Sequence, residues 1–162
     1  MFTCVLLVLS LVLGSAGPVV SDTPNLTDVQ IRALAAEALW HTPEYTHFTR
    51  DTRFQWVVFT ASSPDPYPQF TAAVKRRLTA KYVVYGAQSE LPPAATRVDE
   101  SHRIWFVNGF QYSVSVRAAS RGRIEVTYRD FEGPLAAGTQ VITYQWIGGR
   151  WRVRAKGPLI VA

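Results

Sequence analysis

Cysteine is nearly missing from this chain: Cys4 is the only one in 162 residues. It stands before an apolar run rather than after it, so it is not placed for lipid attachment. The rest of the chain can form no internal disulfide and offers no thiolate to a metal or a substrate. Charge is missing from the start: no acidic or basic side chain precedes Asp22. Catalytic and metal-binding signatures are missing as well. No internal repeat or low-complexity stretch is visible. These absences exclude a disulfide scaffold and a cysteine-based site, and they predict no cofactor and no metal.

What stands at the start is a leader. The apolar core from Val5 to Leu13 is about nine residues, the length of a signal-peptide core. Gly14, Ser15 and Ala16 then supply the small side chains that a signal peptidase reads, with cleavage after Ala16. The expected layout is a signal peptide over 1–16, a linker over 17–26 and one domain over 27–162. That makes the protein secreted or periplasmic, with no transmembrane span in the mature chain. The alternative is an uncleaved membrane anchor, because Phe2 to Val20 is just long enough for a thin bilayer. Gly14, Gly17 and Pro18 argue against it. Asn25, Leu26 and Thr27 form an N-glycosylation sequon.

The formal net charge of +5 falls wholly on the residues after the leader, and the isoelectric point is about 9.7. A domain of roughly 140 residues buries about two-thirds of its unfolded surface, so it needs no staples. Thr27 and Gln30 form a capping box at the start of a helix, with Leu26 and Ile31 placed as a hydrophobic staple. Ile31, Leu34, Ala35, Ala38 and Leu39 give that helix one apolar face, and Pro43 ends it near Trp40 or His41. Residues 54–60 are β-branched and aromatic, the pattern of a strand. A proline-rich loop leads to a second helix with Phe70, Ala73, Val74 and Leu78 on one face, and Tyr82 to Tyr85 reads as a short strand.

From His102 the pattern is a strand meander. Asn108-Gly109 predicts a hairpin joining 103–107 to 110–116. Phe110, Tyr112, Val114 and Val116 alternate with polar residues, and Ile124, Val126 and Tyr128 repeat the alternation. Gly148-Gly149 predicts a last hairpin, and Leu159 to Val161 an edge segment. Helix, strand, helix and then a meander give an α+β class: two helices packed on one face of a curved, mainly antiparallel sheet.

This order, ending in Tyr144-Gln-Trp-Ile-Gly-Gly-Arg-Trp-Arg-Val153, resembles the cystatin-like roll, and within it the nuclear transport factor 2-like superfamily. The resemblance implies helices wrapped on a bent sheet around a cone-shaped cavity. The chain has less helix before its first strand than that superfamily carries, and no catalytic residue of a member matches a motif here. Such a fold carries no function with it.

The candidate site lies on the last hairpin. Arg150, Arg152, Arg154 and Lys156 alternate with Trp151, Val153 and Ala155, and period-two spacing puts all four cations on one sheet face. Arg117, Arg123 and Arg129 join them if the register allows. Guanidinium forks grip phosphate or carboxylate. The same spacing also describes a solvated sheet face, with Glu125 and Asp130 near enough to pair some charges. His41, His47 and Asp51, with Glu44, form a possible acid–base or metal group, although the spacing fits no helical metal motif. His102 has Asp99 and Glu100 beside it. Trp40, Trp56, Trp105, Trp146 and Trp151 offer rings that could line a pocket or stack on bases or sugars, but most of them alternate with polar residues as core residues do. Lys75, Arg76, Arg77 and Lys81 give the second helix a basic side.

The function expected from these residues is a small exported binding or interaction module. Its ligand is anionic or small and apolar, or its partner is another protein. A small cavity enzyme using a histidine and a carboxylate is one alternative. An envelope-associated protein held to an anionic polymer by the basic face is the other. Nucleic acid is not expected as a partner, because no single-strand-binding signature accompanies the aromatic residues.

Overall fold

The computed structural model describes residues 25–43, 54–63, 65–119, 122–133 and 136–161. The leader, most of the linker, and Glu44, His47 and Asp51 lie outside them.

Helix α1 runs from Asp28 to Leu39. The capping box forms as the sequence predicts: Gln30 N donates to Thr27 Oγ1, and Thr27 N donates to Gln30 Oε1. Leu26 and Ile31 both join the main core. Strand β1, Trp56–Ala61, is buried along most of its length. Helix α2, Pro68–Thr79, opens on a proline and buries Phe70, Val74 and Leu78. Proline suits that position because its missing N–H has no helical partner there. Strand β2, Val83–Tyr85, then lies parallel to β1. Two short 3-10 turns lead to β3, Thr96–Val98, and β4, Ile104–Phe106.

The meander follows: β5 Gly109–Ala119, β6 Arg123–Gly133, β7 Ala136–Ile147, β8 Arg150–Lys156 and β9 Ile160–Val161. The main sheet has the order β2-β1-β5-β6-β7-β8, with β9 also paired to β7. It is open at both ends, antiparallel from β5 to β8, and parallel at β1. The α+β reading therefore holds, with two parallel pairings inside it.

The helices cover one face, hereafter the helix face. Its core joins Leu34, Ala38, Phe70 and Leu78 to Phe110, Tyr112, Val126 and Tyr144. Burying one such large side chain contributes about 1.5–3 kcal/mol. Two indole and phenol groups tie α1 to the sheet. Trp151 Nε1 donates to Gln30 O at 2.9 Å, and Tyr112 Oη donates to Ala38 O at 2.5 Å. Among the described residues, the opposite face is covered by the β3–β4 hairpin, from the β1–β2 end across to Phe131 and Gly133 of β6. There Trp56, Val58 and Ala95 form a second small core with Tyr85, Leu91 and Phe106. Burial on both faces explains why β1 reads as a continuous apolar run.

Asn108-Gly109 does not make the predicted hairpin. β4 pairs with β3 instead, and β5 pairs with β1 and β6. The reason lies in packing. Asn108 takes a positive φ of 57° and turns the chain from one sheet to the other. Gly109 slides under the Trp56 indole, where an added Cβ would be 2.1 Å from the ring. Trp56 Nε1 donates to Val107 O, and Gln55 N donates to Asn108 O. The other predicted tight turn does form: Gly148 and Gly149 have φ of +58° and +75°, as a type I′ turn requires.

No helix among the described residues is long and apolar enough to cross a membrane.

Candidate functional site: a basic, hydroxyl-lined sheet face

Alternation along β5, β6 and β7 buries one set of side chains under the helices and turns the other to the open face. Register then sets the open-face residues in rungs. Thr60, Ser113, Arg129 and Thr139 form one rung across four strands. Ser115 and Thr127 pair in the next. Gln111, Phe131 and Ala137 form the rung on the other side. Together these residues line a groove of about 580 Å³. Gln88 Nε2 donates to Gln111 Oε1 at 3.1 Å and closes one end.

Farther along β6 the face becomes strongly basic. Arg117 stands opposite Glu125, and the two side chains form an ion pair. Arg123, Gln145 and Arg152 share the following rung. Arg154 Nε donates to Gln145 Oε1 at 2.9 Å, which brings a third guanidinium to that rung. Arg150 stands opposite Ile147 at the strand end. The Nε of Arg123 is buried and has no hydrogen-bond partner among the described residues. A buried unpaired N–H is uncommon and calls for an acceptor.

The structure thus gathers Arg117, Arg150, Arg152 and Arg154, and adds Arg123 and Arg129, as the sequence allowed. It does not gather Lys156. The register between β7 and β8 shifts between Thr143 and Tyr144, so that Val153 faces Tyr144 while Ala155 faces Thr143. This bulge puts one extra residue into β8 and reverses the alternation after it. Lys156 pairs with Ile142, a core residue, and so belongs to the helix face. Its charge is felt there by His41. Asp130 is likewise on the buried side by register, opposite Tyr112 and Gly138, although it also contributes to the lining of the groove beside Arg129.

A second polar group lies inside the helix face. The His41 ring stacks on Tyr128 at 4.0 Å between centroids and 17° between planes. Tyr128 Oη is 3.1 Å from Tyr144 Oη, which is 3.4 Å from His41 Nε2. Burial first, and Lys156 second, lower the His41 pKa to about 4. Burial pushes Tyr144 up to about 12 and also raises Tyr128 well above the ordinary phenol value. His41, Tyr128, Asp130 and Gly138 line a cavity of about 30 Å³, room for roughly one water. Sequence reasoning named His41 but not Tyr128, Tyr144 or Asp130 as its neighbours.

The remaining candidates disperse. His102 sits in an exposed turn with φ of 59°. Asp99 accepts from Ser101 N, Arg103 N and Trp105 Nε1, so it organises that turn. Trp56 and Trp151 are buried and Trp146 packs on the core, as expected, but Trp40 is 61% exposed. Lys75, Arg76 and Arg77 are exposed on α2, away from the open sheet face. Among the described residues, no three His, Cys, Asp or Glu side chains gather as metal ligands. No protein-family model, curated protein or solved structure matches the chain.

Proposed function

We propose that this protein is a small binding module that holds an anionic ligand on the open face of its sheet. One observation carries the reading. Register collects Arg117, Arg123, Arg129, Arg150 and Arg152 on that face, with Arg154 joined to it through Gln145. The acid that the register sets among them is Glu125, already engaged by Arg117. Clustered guanidinium groups attract anions over a screening length and then fix them by forked hydrogen bonds. The buried Nε of Arg123, without a partner among the described residues, supports a ligand that supplies an acceptor.

Binding is favoured over catalysis by the size of the alternative site. His41 and Asp130 do share a cavity, but its volume is about 30 Å³. The likeness to a cystatin-like roll belongs to the same proposal and rests on element order. Where such a roll has a cone, this chain packs Phe110, Tyr112 and Tyr144. Export rests on the apolar core and small residues of 1–16, and it places the basic face where envelope polymers are met.

The test is retention on an immobilised sulfated polymer at about 0.1 M salt, where the screening length is roughly 10 Å. The wild-type chain is retained and elutes as salt rises. Arg123→Glu with Arg152→Glu weakens binding by about 10- to 100-fold, on the order of the 1.5–3 kcal/mol of a charge-assisted bond. Lys75→Glu with Arg76→Glu makes the same change in net charge on α2. Equal loss in both double variants would reject the open face as the site.

A further inference from the structure

Resting on that reading, we infer that the ligand is an acidic polysaccharide, and that the groove around Arg129 receives one of its charged sugar units. The argument begins with donor and acceptor character. A site built for phosphate alone needs donors only, because a full anion accepts hydrogen bonds and gives none. Among the described residues the groove holds one guanidinium, and around it stand Ser, Thr and Gln groups that both donate and accept, with Asp130 also contributing to the lining. Ser113 and Thr139 flank Arg129 on its own rung, Ser115 and Thr127 lie on the next, and Gln111 precedes them. That mixture matches a ring carrying several hydroxyls and one carboxylate or sulfate.

Geometry agrees with the chemistry. Neighbouring strands stand about 4.8 Å apart, and like-facing residues on one strand about 6.8 Å apart. The side chains therefore form a grid on the scale of one sugar ring. The groove volume of about 580 Å³ lies within the roughly 300–1,000 Å³ of small-ligand sites. From Arg129 to Arg123 the strand runs six residues, or about 20 Å. Further charged units of an extended chain can meet Arg123 and Arg152 there.

Single-stranded nucleic acid fits less well, since it is held by successive stacked aromatic rings. Among the described residues the groove offers one ring, Phe131, and it already meets Phe106 edge to face at 5.6 Å and 90°.

The experiment titrates the mature chain with oligogalacturonate, inorganic polyphosphate and single-stranded DNA of matched charge at one ionic strength. The uronate oligomer binds about tenfold tighter than either other polymer. Thr127→Val with Thr139→Val removes two hydroxyls and keeps side-chain shape. It costs about tenfold in uronate affinity and leaves polyphosphate within about twofold, a tenfold change being 1.4 kcal/mol. Equal binding of uronate and polyphosphate, or tighter DNA binding, overturns the sugar assignment and leaves the basic face standing. No binding of any polymer overturns both. The wild-type comparison decides the matter even if the double variant does not fold.

Discussion

A Cβ at Gly109 would lie 2.1 Å from the Trp56 indole, well inside van der Waals contact. The ring cannot swing away freely, because its Nε1 is bonded to Val107 O and its edge meets Phe106. Gly109→Ala is expected to lower stability by about 3 kcal/mol, at the upper end of ordinary overpacking. Urea unfolding checks this. Unchanged stability would mean that the indole is not fixed over the glycine. His41 makes a different prediction. Its folded-state pKa of about 4 lies below the ordinary imidazole value of 6.5. Above pH 6.5 the ring is neutral in both states. As pH falls toward 4, the unfolded chain takes up the proton first, so stability is lost across that window. Solvent reaches part of the ring, which reduces the effect to about 1–2 kcal/mol. Lys156, Tyr128, Tyr144 and the Asp130 side of the shared cavity are the groups around it. His41→Phe keeps a ring on Tyr128 and should flatten the melting profile between pH 4 and 6.5. A profile that remains steep would assign the pH response to other groups.

At the scale of elements, α1 depends on a strand far from it in sequence, β8. Trp151→Phe removes the Nε1–H bond to Gln30 O and part of a buried ring. A loss of about 1–2 kcal/mol is expected, with hydrogen exchange accelerating in α1 before β5 or β6. Uniform acceleration would show that Trp151 does not hold the helix in particular. The same elements show where local pattern was enough. The Thr27–Gln30 box, the Val74–Leu78 face and the alternation from Phe110 to Val116 depend on neighbours within a few residues, and all form. Asn108-Gly109 had an equally strong local signal. It lost to a contact with Trp56, 53 positions away, that only the parallel pairing of β1 and β5 creates. The bulge in β8 left no local mark either, so Lys156 was assigned to the wrong face. The arginine alternation was legible, but which strands would set Arg123 beside Arg152 was not. Nor did any local pattern announce that His41 would meet Tyr144, 103 residues on.

Across the whole molecule, the two faces of one sheet do different work. The helix face supplies stability through packed aromatic and aliphatic side chains. The open face is charged, wet and exposed along β8, where Arg150, Arg152 and Arg154 are all accessible. Replacing these three with serine should change stability by no more than about 0.5 kcal/mol each. It should also promote self-association, because cations on an edge strand discourage pairing with a second sheet. Light scattering checks this, and a variant that stays monomeric at high concentration would leave the edge protected by the bulge alone. The bond between Gln30 and Trp151 also has a consequence in time. A chain that emerges from its amino end displays α1 long before the strand that covers it exists. Ile31, Leu34 and Ala38 can meet α2 and β5 first, but the indole that caps Gln30 belongs to the last hairpin. In chain order that bond is among the final ones to become available.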